Sequence, residues 1–203
     1  DAHIYCRPDQ IQDEIKNLLQ FIQKFYDAFR FQGEFKLATR PDNFMGELKL
    51  WQKAEKALKF ALRQNKRKYI LKPKDGSFYG PKIDIHIEDS LGRSWQIATI
   101  QLDFQMSERF QLNYIDEKGK KRKSVIIHRA IFGSFERFVG ILAEHYGGNF
   151  PLWLAPFQIW IIPVSKKHRK FAQKIGKGFQ DMDFRFEVKD LNETVSKKIR
   201  DGE

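Results

Sequence analysis

The sequence predicts an α+β fold, an antiparallel sheet with flanking helices, followed by a partial α/β unit. Three observations carry that prediction. Lys82 to Glu88 sets Ile83, Ile85 and Ile87 against Asp84, His86 and Glu88, the two-residue period of a half-buried strand. Leu91-Gly92 turns the chain back, and Ser94 to Phe104 supplies an antiparallel partner. Two long stretches with apolar residues at helical spacing provide cover for the apolar face of such a sheet.

The elements follow in order. Asp1 to Cys6 is short and strand-like, and Pro8-Asp9-Gln10 reads as a helix start. Ile11, Ile15, Leu18, Leu19, Ile22, Phe25 and Phe29 trace one helical stripe, which is core packing. Phe31 to Thr39 alternates as a strand does. Pro41-Asp42-Asn43 turns the chain into a second helix, about Leu48 to Gln64, carrying Trp51, Ala54, Leu58 and Leu62. Asn65 to Lys74 reads as a basic connector into the Asp75-Gly76 turn. Leu112 to Ile127 reads as a hairpin around Asp116-Glu117-Lys118-Gly119, with Lys118 to Lys123 as its solvated tip.

Val125 to Leu142 begins with a β-branched run that suits a buried strand. Gly133 and Ser134 interrupt it, and serine is a favoured N-cap. Phe135, Phe138, Val139, Leu142 and Tyr146 then recur at helical spacing. Arg137 falls in the first turn, where a cation opposes the helix dipole but suits a bound phosphate. A boundary near Gly147-Gly148-Asn149 divides the chain into domains 1–149 and 150–203. In the second, Phe157 to Val164 reads as a buried strand, Lys166 to Gln180 as a helix and Phe184 to Val188 as a strand. That spacing predicts a parallel pair.

A formal charge of +11 and a pI near 9.6 point to a polyanionic partner, nucleic acid first. Hydrophobic content of 41% with 14% aromatic residues supports a packed core and excludes wholesale disorder. The single cysteine excludes an internal disulfide and fits a reducing cytosol. Phe150 to Val164, the longest apolar run, is broken by Pro151, Pro156 and Gln158. It falls short of the roughly 20 residues of a spanning helix, so no membrane is expected. The chain starts at Asp1 with no Met, at the end of a strand, and stops at Glu203 in a beginning helix, so a piece of a longer protein is expected.

The strand–glycine–helix unit ending in Arg137 resembles the third signature motif of the class II aminoacyl-tRNA synthetases. The wording His128-Arg129-Ala130-Ile131-Phe132-Gly133-Ser134-Phe135-Glu136-Arg137 is similar to the threonyl-tRNA synthetases in particular. Asp1 to Cys6, Phe78 to Asp84 and Trp95 to Phe104 agree in the same order, so the resemblance covers nearly the whole chain. It implies a class II catalytic core from its second motif onward, then the first part of an anticodon-binding domain. The implied activity is that of a threonine–tRNA ligase, a cytoplasmic homodimer. With ATP it makes threonyl-adenylate, then transfers threonine to tRNA(Thr). A non-catalytic synthetase-like module that binds RNA or protein is the rival reading. His3, His128 and Arg137 speak against it.

The resemblance also implies residue roles. His3 and His128 match the family's two histidine ligands for one Zn²⁺ per chain, and the family's cysteine ligand lies upstream of this region. A zinc with an open position binds threonine through its amino and hydroxyl groups, so valine is rejected and serine is left to editing. Cys6 lies three residues beyond His3, on the opposite strand face, and reads as a buried small residue. Asp1 shares the face of His3 and is implied to accept from the threonine hydroxyl. Tyr79 shapes the amino-acid pocket, and Lys82 lies near the reacting carboxylate and phosphate. Gln96 and Thr99 are implied near ATP and Gln101 near threonine. Ser134 and Arg137 belong with ATP, Arg137 on its γ-phosphate and Mg²⁺ alongside. On a regular strand Gln96 and Thr99 face opposite ways, so one pocket requires a bulge. Ile97-Ala98 stand where the family usually carries Cys-Gly. His86, His145 and His168 read as structural or surface residues. With the third zinc ligand and the earlier motifs outside it, the fragment alone is expected to be inactive.

Overall fold

Strand β1 (Ala2–Cys6) leads into helix α1 (Ile11–Ala28), then β2 (Glu34–Ala38), α2 (Leu48–Gln64) and β3 (Tyr69–Lys72). The hairpin β4 (Lys82–Glu88) and β5 (Ser94–Asp103) follows, with a short helix α3 (Gln105–Arg109) and a small hairpin, β6 (Asn113–Ile115) and β7 (Lys121–Lys123). Then come β8 (Val125–Ala130) and α4 (Phe135–His145). This computed structural model describes residues 1–202. It divides into two units, Asp1–His145 and a second beginning at Tyr146.

In the first unit six strands form one sheet in the order β1-β8-β5-β4-β2-β3. Every neighbouring pair is antiparallel except β2 and β3, which α2 joins as the crossover that parallel strands require. One face of the sheet is apolar, with Ile83, Ile85, Ile100, Leu102 and Ile127 all fully buried. Helix α1 covers it. Gly33 brings the chain so close that an added Cβ would lie 3.0 Å from Ile85 and 3.2 Å from the Tyr26 ring. Ile15, Leu19 and Ile22 of α1 are likewise buried, each worth about 1.5–3 kcal/mol relative to exposure. The buried Tyr26 hydroxyl donates to the Ile131 carbonyl at 3.0 Å. Alongside α1, α2 buries Trp51, Ala54, Ala57, Leu58, Ala61 and Leu62.

Three local expectations change. The connector Asn65 to Lys74 contains β3, because Tyr69-Ile70-Leu71 is β-favouring inside its lysine-rich flanks. Its exposed Ile70 and Leu71, between lysines, suit its place at the end of the strand order. In α4 the buried residues are Phe138, Ile141 and Leu142, whereas Phe135 and Val139 are 72% and 55% exposed. The helix is rotated so that Phe138 meets Phe25, Phe29 and Phe31. Asp84, expected on the solvent side of β4, is only 3% exposed.

The second unit holds β9 (Ile159–Ile161), α5 (Arg169–Gln180), β10 (Phe186–Val188) and α6 (Val195–Arg200). β9 and β10 pair in parallel, as the strand–helix–strand spacing predicts. β9 is shorter than Phe157 to Val164 and half-buried rather than buried. Among the described residues no helix is long and apolar enough to cross a membrane.

Candidate active site

The sheet face turned away from α1 carries a row of polar side chains. His3 on β1 pairs with His128 on β8, His128 with Gln101 on β5, and Gln101 with Lys82 on β4. Residues paired directly across strands point to the same face, so these four form one rung across four strands. The next rung holds Thr99 and Asp84, paired with each other. One sequence interval on each strand thus places five candidate residues side by side.

Gln96 joins them through a bulge. Ile85 pairs with Ala98 but His86 pairs with Gln96, so Ile97 is the extra residue. Beyond it the alternation is reversed, and Gln96 faces the same way as Thr99. Gln96 Nε2 and Thr99 Oγ1 both donate to Asp84 Oδ1, at 2.8 and 2.9 Å. Asp84 Oδ2 meets Lys82 Nζ at 2.7 Å. Ile97 and Ala98 are each 1% exposed, so the Ile97-Ala98 pair fills the core at the bulge. Ala98 is not among the residues with positive φ, which is why alanine fits where the family usually carries glycine.

Tyr79 is brought in by Gly80. An added Cβ there would lie 1.8 Å from the Leu102 carbonyl oxygen, so only glycine lets the Tyr79 loop rest against β5. The Tyr79 hydroxyl donates to Gln101 Oε1 at 2.6 Å, and Gln101 Nε2 donates to Ser77 Oγ at 2.8 Å. Burial pushes the Tyr79 hydroxyl above its ordinary range, so it remains a donor at neutral pH.

The rings of His3 and His128 stand edge to face, centroids 4.5 Å apart. His128 Nε2 lies 2.9 Å from Oδ2 of the fully buried Asp103. The donor chemistry fits part of a zinc site: two adjacent imidazoles, one backed by a carboxylate. Among the described residues no third His, Cys, Asp or Glu completes a metal-binding group with them. Cys6 is buried, as expected, while His3 is exposed.

Asp1 lies exposed just ahead of β1, two residues from His3. Ser134 and Arg137 sit elsewhere. Gly133, at φ +69°, makes the turn, and Ser134 Oγ accepts the Arg137 N–H at 3.3 Å, capping α4 as the sequence predicts. The exposed Arg137 guanidinium lies 5.2 Å from the centre of the Trp95 ring. Trp95 pairs with Ile87 and so faces away from Gln96, which leaves Arg137 beside the far end of β5 and apart from the polar rung. His86 and His168 contact Ser94 and Ser165, and His145 lies against Phe31, which suits their structural reading.

Asp84 and Asp103 escape the sequence reading, although each lies two residues from a residue assigned to the site. Lys82 and Asp84, and Gln101 and Asp103, share strand faces. That two-residue interval is the signal that finds them.

Residues 1–146 match the tRNA synthetase class II core domain (G, H, P, S and T). The chain belongs to the class II tRNA synthetase core family. Residues 158–203 match the anticodon binding domain. Within this family the chain is similar to threonine–tRNA ligases. It is 49% identical over 203 residues to that of Carboxydothermus hydrogenoformans and 47% identical to that of Desulforamulus reducens. All of this chain and 32% of each relative are covered, so the chain spans about a third of their length. A solved structure of the RNA binding domain of threonyl-tRNA synthetase from Cryptosporidium parvum superposes with a TM-score of 0.91 at 42% identity. The match covers 99% of this chain and 51% of that one. The polar rung and the bulge therefore belong to a class II sheet.

Proposed function

We propose that the first unit is the adenylate-forming centre of a threonine–tRNA ligase, and that the second serves recognition of tRNA(Thr). The observation that supports this reading is the single rung His3–His128–Gln101–Lys82, with Thr99, Asp84 and Gln96 continuing it. Threonine lies over the histidine end and ATP over the Lys82–Gln96 end, with Arg137 beyond it. The threonine carboxylate attacks the α-phosphate in line, and the chain contributes placement and charge rather than a covalent intermediate.

Each residue has a part in that placement. Tyr79 fixes which end of the Gln101 amide is offered to the amino acid. Asp84 holds Lys82, Gln96 and Thr99 in one position, so that Lys82 meets the α-phosphate without a search among rotamers. Arg137 takes the γ-phosphate, and Asp1 the threonine hydroxyl. His3 and His128 would hold Zn²⁺, which when bound would supply a Lewis acid for the amino and hydroxyl groups of threonine. Mg²⁺ bound with ATP would supply positive charge to the pyrophosphate leaving group. The protein that carries this chain acts in the cytoplasm as a homodimer.

The test is a segment exchange. This chain replaces the matching third of the Carboxydothermus ligase, and threonine-dependent exchange of pyrophosphate into ATP is measured. Exchange within about tenfold of the unaltered ligase is expected, with valine inactive. A folded chimera that binds tRNA but shows no exchange would favour the non-catalytic module instead.

A further inference from the structure

We infer that Asp103 is a positioning residue that fixes the tautomer of His128. The proton is held on Nε2, leaving Nδ1 as the nitrogen with a free lone pair. The inference deepens the zinc reading of the same site, but its first observation holds without any metal.

Both oxygens of Asp103 are engaged. Oδ1 accepts the backbone N–H groups of Gln105 and Met106, at 2.8 and 2.9 Å, at the start of α3. Oδ2 lies 2.9 Å from His128 Nε2. Residue and contact are sealed from water, with the Asp103 side chain 1% and the His128 side chain 11% exposed. A carboxylate only accepts, and Oδ1 already takes two backbone N–H groups as an acceptor, so the hydrogen of the short contact belongs to the ring. The hydrogen between them therefore sits on Nε2. Since a neutral imidazole carries one N–H, Nδ1 becomes the acceptor, and the ring offers any electrophile that nitrogen alone.

Two further constraints keep the pair in place. Asp103 pairs with Ile126 and Gln101 with His128, so β5 and β8 set the height of both side chains. The Tyr79 ring lies against His128, centroids 5.7 Å apart, and limits its rotation. A carboxylate behind a metal-bound histidine commonly contributes 10–100-fold in metal affinity. Asp103 is suited to that part because its other oxygen is anchored to the backbone of α3.

The test reads the tautomer directly. The 203-residue chain is labelled with ¹⁵N, and its histidine ring nitrogens are observed through long-range ¹H–¹⁵N correlations. His128 is expected as the Nε2–H form. In Asp103→Asn the amide oxygen can still accept from α3, while its NH₂ faces the ring and donates. His128 is then expected to switch to Nδ1–H. A wild-type ring found as Nδ1–H, or as an even mixture, overturns the inference even if the variant fails to fold. So does a folded Asn variant with an unchanged ring. Zinc affinity is then compared in the chimeric ligase with and without Asp103→Asn, by competition with a chelator, because there the upstream residues complete the ligand set. About 10–100-fold weaker binding in the Asn chimera is expected. Equal zinc affinity in the two overturns the positioning role. If His128 is Nε2–H and switches with Asn, yet neither chimera binds zinc, the zinc reading fails and the assignment of the tautomer to Asp103 stands.

Discussion

Gln96 and Thr99 stand three residues apart on one strand and point to the same side of the sheet. Ile97 between them is the extra residue of a bulge, and both side chains donate to one oxygen of Asp84. Asp84 is the buried post around which the Lys82 end of the site is built. Asp84→Ala leaves Lys82, 17% exposed at its side chain, without its counter-charge. A loss of about 3 kcal/mol in unfolding free energy is expected from urea denaturation, because an unpaired, largely buried charge is costly. Asp84→Asn keeps an acceptor for Gln96 and Thr99 and should lose less.

Gly80→Ala tests the close approach of the Tyr79 loop to β5. The new methyl would overlap the Leu102 carbonyl oxygen, which is backbone and cannot rotate away. The loop must lift, and the Tyr79–Gln101 hydrogen bond must lengthen or break. Destabilisation of about 1–3 kcal/mol is expected. In the chimeric ligase the KM for threonine should rise more than the KM for ATP.

Arg137→Lys retains the charge but loses the planar fork and its packing on Trp95. In the chimera, threonine-dependent exchange is expected to fall about 10²-fold, and in Arg137→Ala by as much as 10³-fold. Threonine affinity should change little. Unchanged exchange in both would make Arg137 a surface residue.

Cys6 provides a pH-dependent readout. Burial first, then the charges of Glu14 and Asp9, push its thiol from 9.0 up to about 11. The folded state therefore holds this proton more tightly than the unfolded chain does. The resulting stabilisation is full below about 9 and is lost as pH rises through about 11. At about pH 8 iodoacetamide should modify Cys6 far more slowly in the native chain than in urea. Equal rates would show an accessible thiol.

His3→Ala and His128→Ala, each in the chimera, should abolish stoichiometric zinc by metal analysis while leaving the circular dichroism spectrum near wild type. Retention of zinc by both would remove the metal from the site. His3 is exposed, so its loss leaves no cavity, whereas His128 is nearly buried and its loss should cost about 1–2 kcal/mol in addition.

The legible parts of this fold were those written in a single period. The β4–β5 hairpin, helix α2 and the parallel β9–β10 pair each lie where alternation, helical spacing or a strand–helix–strand interval puts them. β3 was hidden because its four residues are flanked by lysines, and pairing with β2 rather than local preference makes it a strand. The site was half legible. Motif wording singled out His3 and His128, which the structure sets side by side, and the bulge reconciled Gln96 with Thr99, whereas Arg137 stands apart against Trp95. Asp84 and Asp103 escaped because a strand aspartate reads as solvated until its hydrogen-bond partners are known. The rotation of α4 was illegible for a related reason, since the ring cluster around Phe138 is gathered from α1 and the segment after it.

The bond from the Tyr26 hydroxyl to the Ile131 carbonyl joins residues 105 apart in sequence. Closing so long a loop costs more chain entropy than forming a hairpin, so contacts of this kind mature late. The β4–β5 hairpin can form from neighbouring residues alone, and with it the post at Asp84. The pairing of β1 with β8, and hence of His3 with His128, must wait until both ends of the unit exist. During synthesis the first strand leaves the ribosome long before its partner. Its ladder with β8 forms only once residues up to Ala130 have emerged, so the two histidines are brought together well after the Asp84 end has been synthesised.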